Sequence, residues 1–263
     1  MPVEVRYYTD PACPWSWANE PEVRRLMWEF GDGLRFTWVM GGLAREYDPE
    51  STTELIVEWL GVAAESGMPI DPRLWSDSPI GSTYPACQAV EAAIEQGPEH
   101  AYRYLRRLRE GLLVERRKLD HVEALVAAAG EAGLDIERFR IDLSSNAITE
   151  AFAADLEEVR GHGIEFPSAT FVGEDRSRHG VRAPAPYEAY RAAALEAGAE
   201  PATERPAEPL EAVERFGRAA TRELEVLSGR PRTVVEAELW SLARDWRLRP
   251  IPVLNGTLWE KAA

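Results

Sequence analysis

The feature that most narrows the fold is a cysteine-proline pair set between a strand and a helix near the start of the chain. Residues 3–8 alternate, with Val3, Val5 and Tyr7 against Glu4 and Arg6, and stop at the breaker cluster Thr9-Asp10-Pro11. That period of two is the mark of a half-buried strand. Cys13-Pro14-Trp15-Ser16 follows, then Val23, Leu26, Met27 and Phe30 on one helical face, ended by Gly31-Asp32-Gly33. Residues 34–40 read as a second strand, closed by Gly41-Gly42. Strand, turn, helix, strand is a βαβ unit, and it predicts an α/β fold.

Beyond it the pattern turns helical for about 110 residues, with Leu55, Trp59 and Val62 and later Leu105, Leu108, Leu112 and Leu113 at helix spacing. Strand signals return after Gly161-His162-Gly163. Phe166-Pro167-Ser168 leads into a strand over residues 169–172, residues 178–181 can pair with it, and residues 187–197 form a helix. Residues 198–209, with Pro201, Pro206 and Pro209 among Ala and Glu, have the composition of a linker. Leu210, Val213, Phe216, Leu224 and Leu227 then mark one amphipathic helix. Thr233 and Glu236 have the form of a capping box, and Asn255-Gly256 is a hairpin turn. The expected organisation is residues 1–50 and 161–197 as one α/β domain, 51–160 as a helical insertion, 198–209 as a linker, and 210–263 as a small module. Its helix, turn, helix and hairpin resemble part of a winged helix.

Composition excludes several function classes. The chain has 263 residues, 45% hydrophobic, enough for a buried core. It contains no apolar run of membrane-spanning length, and Met1-Pro2-Val3-Glu4-Val5 lacks the pattern of a signal peptide, so a soluble, cytoplasmic protein is expected. A net charge of −15 argues against broad attachment to nucleic acid or anionic membranes. Arg230, Arg232, Arg244, Arg247 and Arg249 are offset by acidic neighbours, so packing or protein interaction suits the last module better than reading DNA. The four histidines share no metal-ligand spacing with the two cysteines, so neither a metal nor a bound cofactor is expected. The basic run Arg103, Arg106, Arg107, Arg109, Arg116, Arg117 and Lys118, and the acidic stretch from Asp142 to Glu158, both read first as solvated helix faces. An anionic thiol such as glutathione, or an acidic partner, is the alternative for the basic run.

Cys13 stands where chemistry would want a thiol. A thiolate is the reactive form, and unpaired N–H groups at a helix start favour it. Pro14 occupies a first-turn position where its missing N–H costs nothing. Trp15 and Trp17 beside it predict a partly exposed apolar face for an extended peptide or thiol substrate.

Asp10-Pro11-Ala12-Cys13-Pro14-Trp15-Ser16-Trp17, Glu20-Pro21, the helical insertion and Phe166-Pro167-Ser168 together resemble the DsbA-like family of thioredoxin-fold proteins. Within it the pattern is similar to predicted protein-disulfide isomerases and to YjbH-type adaptors, which deliver a transcription regulator to a protease. The resemblance spans about residues 3–197. It implies a thioredoxin fold with a large helical insertion, Cys13 as the attacking thiol and Pro167 as a cis proline that approaches it, with Phe166 next to bound substrate. The departure is Ser16, which stands where redox members carry a second cysteine. Without a resolving thiol the ordinary dithiol cycle is closed.

Cys87 is the one candidate second thiol; a disulfide needs Cα atoms within about 7 Å, and the residue pattern favours a small apolar role on a buried helix face. Three functions follow. One is a monothiol oxidoreductase or isomerase, with Cys13 attacking a protein disulfide or glutathionyl group and an external thiol releasing it. Another is a non-redox adaptor that binds a protein client. The third is a glutathione-dependent isomerase similar to 2-hydroxychromene-2-carboxylate isomerases.

Overall fold

The computed structural model describes residues 2–262; Met1 and Ala263, the outermost residues of the two end segments, lie outside the described residues. Strand β1 (Val3–Thr9) leads through the Cys13 turn into α1 (Pro14–Ala18) and α2 (Glu20–Phe30), then β2 (Leu34–Met40). Val23, Leu26 and Phe30 of α2 are buried against Val5 and Tyr7 of β1. Each such side chain contributes about 1.5–3 kcal/mol by leaving water.

Among the described residues seven helices follow: α3 (Thr52–Ser66), α4 (Leu74–Asp77), α5 (Tyr84–Ile94), α6 (Pro98–Leu113), α7 (Val122–Glu131), α8 (Ile136–Leu143) and α9 (Asn146–Gly161). The chain then returns as β3 (Ser168–Val172), β4 (Arg178–Arg182) and α10 (Tyr187–Glu196). The sheet order is β2-β1-β3-β4, with β1 parallel to β2 and the rest antiparallel. This is the expected thioredoxin arrangement with a helical insertion. The insertion shares its apolar core with the sheet, through Trp59, Leu105, Leu108 and Phe139.

The remaining elements are α11 (Pro209–Phe216), β5 (Ala219–Ala220), α12 (Thr221–Ser228), α13 (Arg232–Arg244), β6 (Leu248–Val253) and β7 (Gly256–Lys261), with β5, β7 and β6 in a second sheet. Val213, Leu224, Leu227, Leu239 and Trp259 make a second core there.

Several local expectations are corrected. The single helix expected from Leu210 to Leu227 is two helices. Gly217 turns out of the first at φ +76, and the freed carbonyls of Phe216 and Arg218 accept from the buried Arg24 guanidinium at 3.3 and 2.8 Å. The Thr233–Glu236 capping box does not form, because α13 starts after Pro231 and Glu236 pairs with Arg232 at 2.8 Å. The hairpin turns at Leu254-Asn255, since Gly256 pairs with Val253 and Asn255 Oδ1 accepts from Ile70 N at 3.0 Å. The segment between α10 and α11 holds no helix or strand over residues 201–208 and is anchored to α2. Ala202 N and Thr203 N donate to Glu29 O, and Trp28 Nε1 donates to Arg205 O.

Candidate functional site

Asp10 organises the turn between β1 and α1. Its side chain is fully buried; Oδ1 accepts from Ala12 N at 2.8 Å, and Oδ2 accepts from Leu43 N at 2.7 Å, Thr83 Oγ1 at 2.8 Å and Cys87 Sγ at 3.3 Å. Its main-chain oxygen takes the N–H of Cys13 at 3.2 Å. The carboxylate thus ties the reactive turn to the loop after β2 and to α5. Nothing in the sequence around Asp10 marks it beyond its place in a breaker cluster, because Leu43, Thr83 and Cys87 arrive from distant positions.

Cys13 is the N-cap of α1, and its Sγ accepts from Ser16 N at 3.4 Å. It is only 3% exposed. Burial pushes its thiol up to about 11, outweighing the Ser16 hydrogen bonds that favour the anion, and the Asp10 charge pushes the same way. This corrects the expectation of an activated thiolate: a helix start stabilises an anion only as far as desolvation allows. At pH 8 a thiol at about 11 has roughly one two-hundredth of the thiolate of free cysteine. Iodoacetamide should therefore alkylate native Cys13 at about that fraction of the rate of free cysteine, with the rate still rising beyond pH 10. A fast rate already level at pH 7 would refute the assignment.

The other sequence candidates divide. Trp17 is wholly buried, with Nε1 donating to Pro69 O at 2.9 Å and the Arg106 guanidinium 4.2 Å from its ring centre. It is a core residue, which corrects the expected exposed face, since the helix turn places it opposite Trp15. Trp15 is half-buried and lines a cavity of about 150 Å³ with Pro184 and Arg222. The Phe166–Pro167 peptide bond is cis, and Ser168 pairs with Tyr8, so this segment meets the end of β1 next to the Cys13 turn. The Phe166 ring lies against the Gly41 Cα, where any Cβ would overlap it. Cys13 and Cys87 are both free and buried, and both meet Asp10. Burial and the Asp10 charge raise the Cys87 thiol as well.

A second constellation went unseen in the sequence. Glu20 and Arg24 of α2, Arg106, Arg109 and Glu110 of α6, and Glu223 of α12 form a buried ion network. Arg106 Nη1 donates to Glu20 Oε2 at 3.2 Å and to Glu223 Oε1 at 2.8 Å, its Nη2 donates to Glu223 Oε2 at 2.9 Å, and its Nε donates to Glu110 at 2.9 Å. Arg24 Nη1 lies 3.1 Å from Glu223, and Arg109 pairs with Glu20 and reaches Thr9. Burial alone would raise the Glu20 carboxyl, but Arg109, Arg106 and Arg24 together hold it below its ordinary range. The basic run is therefore only partly a solvated face. The acidic stretch is corrected likewise: Asp155 accepts from Met40 N at 2.6 Å, and Glu158 takes the Arg6 guanidinium and the Tyr8 hydroxyl.

Among the described residues no three metal-capable side chains converge, and no helix is long and apolar enough to cross a membrane. A family profile described as thioredoxin matches residues 7–192, the stretch from β1 through most of α10. The chain belongs to this thioredoxin family.

Likeness to other proteins extends past that match. The protein named ClpXP adapter protein SpxH from Halalkalibacterium halodurans is 27% identical over 272 residues, which cover 98% of this chain and 89% of that one. Its namesake from Bacillus subtilis is 27% identical over 269 residues, with the same coverage. The solved cytosolic disulfide reductase DsbM from Pseudomonas aeruginosa superimposes with a TM-score of 0.62 at 21% identity, over 73% of this chain and 98% of that one. That likeness is one of fold.

Proposed function

We propose that this chain is a non-redox adaptor that binds a protein client and presents it to a ClpXP-type protease, as the names of its SpxH relatives suggest. The observation that carries the reading is the state of Cys13, a buried thiol pushed up to about 11 with Ser16 in place of a resolving cysteine. An oxidoreductase needs the opposite, a thiolate open to substrate. The 150 Å³ cavity beside Trp15 falls below the roughly 300 Å³ at which small-molecule sites begin, which speaks against a seat for glutathione. The SpxH relatives match 98% of the chain, so their likeness includes α11 to β7, which the family profile leaves out. A cytoplasmic setting accords with this reading and with two free cysteines.

The test is affinity capture with the wild-type chain and with Cys13→Ala. Captured protein is then offered to purified ClpXP with ATP, with and without the chain. Both forms should capture the same client and accelerate its degradation equally. Turnover of scrambled ribonuclease or of a glutathionylated peptide that Cys13→Ala abolishes would replace this reading with the oxidoreductase one.

A further inference from the structure

Where α2, β2, α6 and α11 come together, two cavities of about 650 and 870 Å³ meet, sharing Tyr102, Arg103, Phe216 and Gly217. One half is aromatic. Phe36, Trp38 and Tyr102 form a stacked ladder with ring centres 5.2 and 5.4 Å apart, and Met27, Leu34 and Phe216 complete its wall. The other half is rich in arginine; of the seven arginines along the whole trough, Arg106, Arg107, Arg117 and Arg218 are paired with carboxylates, and among the described residues Arg35, Arg103 and Arg215 are not.

Arg103 stands at the junction and Arg35 at the rim, both exposed. Among the described residues neither has a carboxylate partner, whereas Arg107 and Arg117 nearby are tied to Glu115 and Glu131. The strand that carries Phe36 and Trp38 is the edge of its sheet, and among the described residues no strand pairs with its outer side. The half-buried Phe36 and Tyr102 rings, backed by the buried Trp38, the unpaired guanidiniums and an open strand edge are the three elements that hold an extended peptide. The backbone adds to the edge, apolar side chains fill the wall, and carboxylates meet the arginines.

We propose that this trough is the docking site for an extended, acidic segment of a partner protein, with aromatic or large aliphatic residues over the Phe36 ladder and carboxylates at Arg103 and Arg35. The proposal rests on the adaptor reading only for the kind of molecule that supplies the segment. It lies apart from Cys13 and needs no redox step.

A phage-displayed library of random dodecapeptides, panned on the full chain, is the probe. Enriched peptides should combine acidic with aromatic or large aliphatic residues and bind more weakly as salt rises. Arg103→Glu and Phe36→Ser should each raise Kd at least about tenfold. Arg45→Glu, the same charge change at an exposed site outside the trough, should leave Kd unchanged; circular dichroism checks the fold of each variant. Peptides without acidic enrichment, or affinity indifferent to Arg103→Glu, would overturn the proposal. So would a single-stranded oligonucleotide held through Arg103, or a dimer of the chain that Phe36→Ser dissolves. Peptides seated in the trough while no client reaches ClpXP would support the trough and sink the adaptor reading alone. Client delivery undiminished by Arg103→Glu would sink the trough alone.

Discussion

Glu223→Gln should destabilise the chain by about 3–5 kcal/mol, the cost of breaking a buried charge network from one side. Glu223 is the carboxylate that Arg24 and Arg106 share, and neither guanidinium can turn to water, being 0% and 5% exposed. Three buried arginines, Arg24, Arg106 and Arg109, would then share only Glu20 and Glu110. The variant also weakens the bond from Ala220 N, 2.6 Å from Glu223 Oε2, which holds the start of α12. Because the network joins α2, α6 and α12, the loss should loosen the last segments from the thioredoxin fold as well as lower stability. Urea unfolding measures the first effect, and hydrogen exchange in α11 and α12 the second. Glu214→Gln is the control. It removes an exposed carboxylate 3.8 Å from Lys261 and should stay within about 0.5 kcal/mol of wild type. A Glu223→Gln midpoint equal to that of the control would show that the network carries no such weight.

Glu91→Gln should act in the other direction and depend on pH. Glu91 is 8% exposed, and burial, then the neighbouring charges of Asp155 and Glu95, push its carboxyl up to about 9. Asp155 is itself raised, chiefly by burial, while the N–H of Met40 opposes the shift and Glu158 and Arg6 act from beyond it. In the unfolded chain a glutamate titrates near 4.3. Between these values the folded state holds a proton that the unfolded state has lost, so stability falls as pH rises through the window. A glutamine has no proton to lose. The variant and the wild type should melt alike near pH 4, and by pH 8 the variant should be the more stable by several kcal/mol, at most about 5. Melting temperatures at pH 4, 6 and 8 decide it, and an offset that is the same at all three would contradict the assignment.

Both effects depend on side chains whose partners lie far along the chain, and there the sequence is least legible. In the basic run, Arg103 is exposed and Arg107 half-buried while Arg106 and Arg109 point in, as helix periodicity allows. The carboxylates that make burial tolerable are Glu20 and Glu223, 86 residues before Arg106 and 117 after it. No local pattern announces such a pairing. Trp17 shows the same limit: an aromatic residue next to a reactive turn reads as a binding face until Pro69 and Arg106 are found around it.

What the sequence determined by itself was local in origin. Alternation in β1 and β2, the single apolar face of α2 and the cysteine-proline helix start are short-range signals set by backbone sterics and side-chain period; they give the α/β order and put Cys13 at a helix N-cap, while the thioredoxin fold was implied by the resemblance that these motifs and Phe166-Pro167-Ser168 carry. Whether that thiol ionises was decided by the tertiary structure. The same N-cap geometry that favours a thiolate is overridden once the loop after β2 and α5 close over Asp10 and exclude water, because desolvation of an anion outweighs the hydrogen bonds from Ser16.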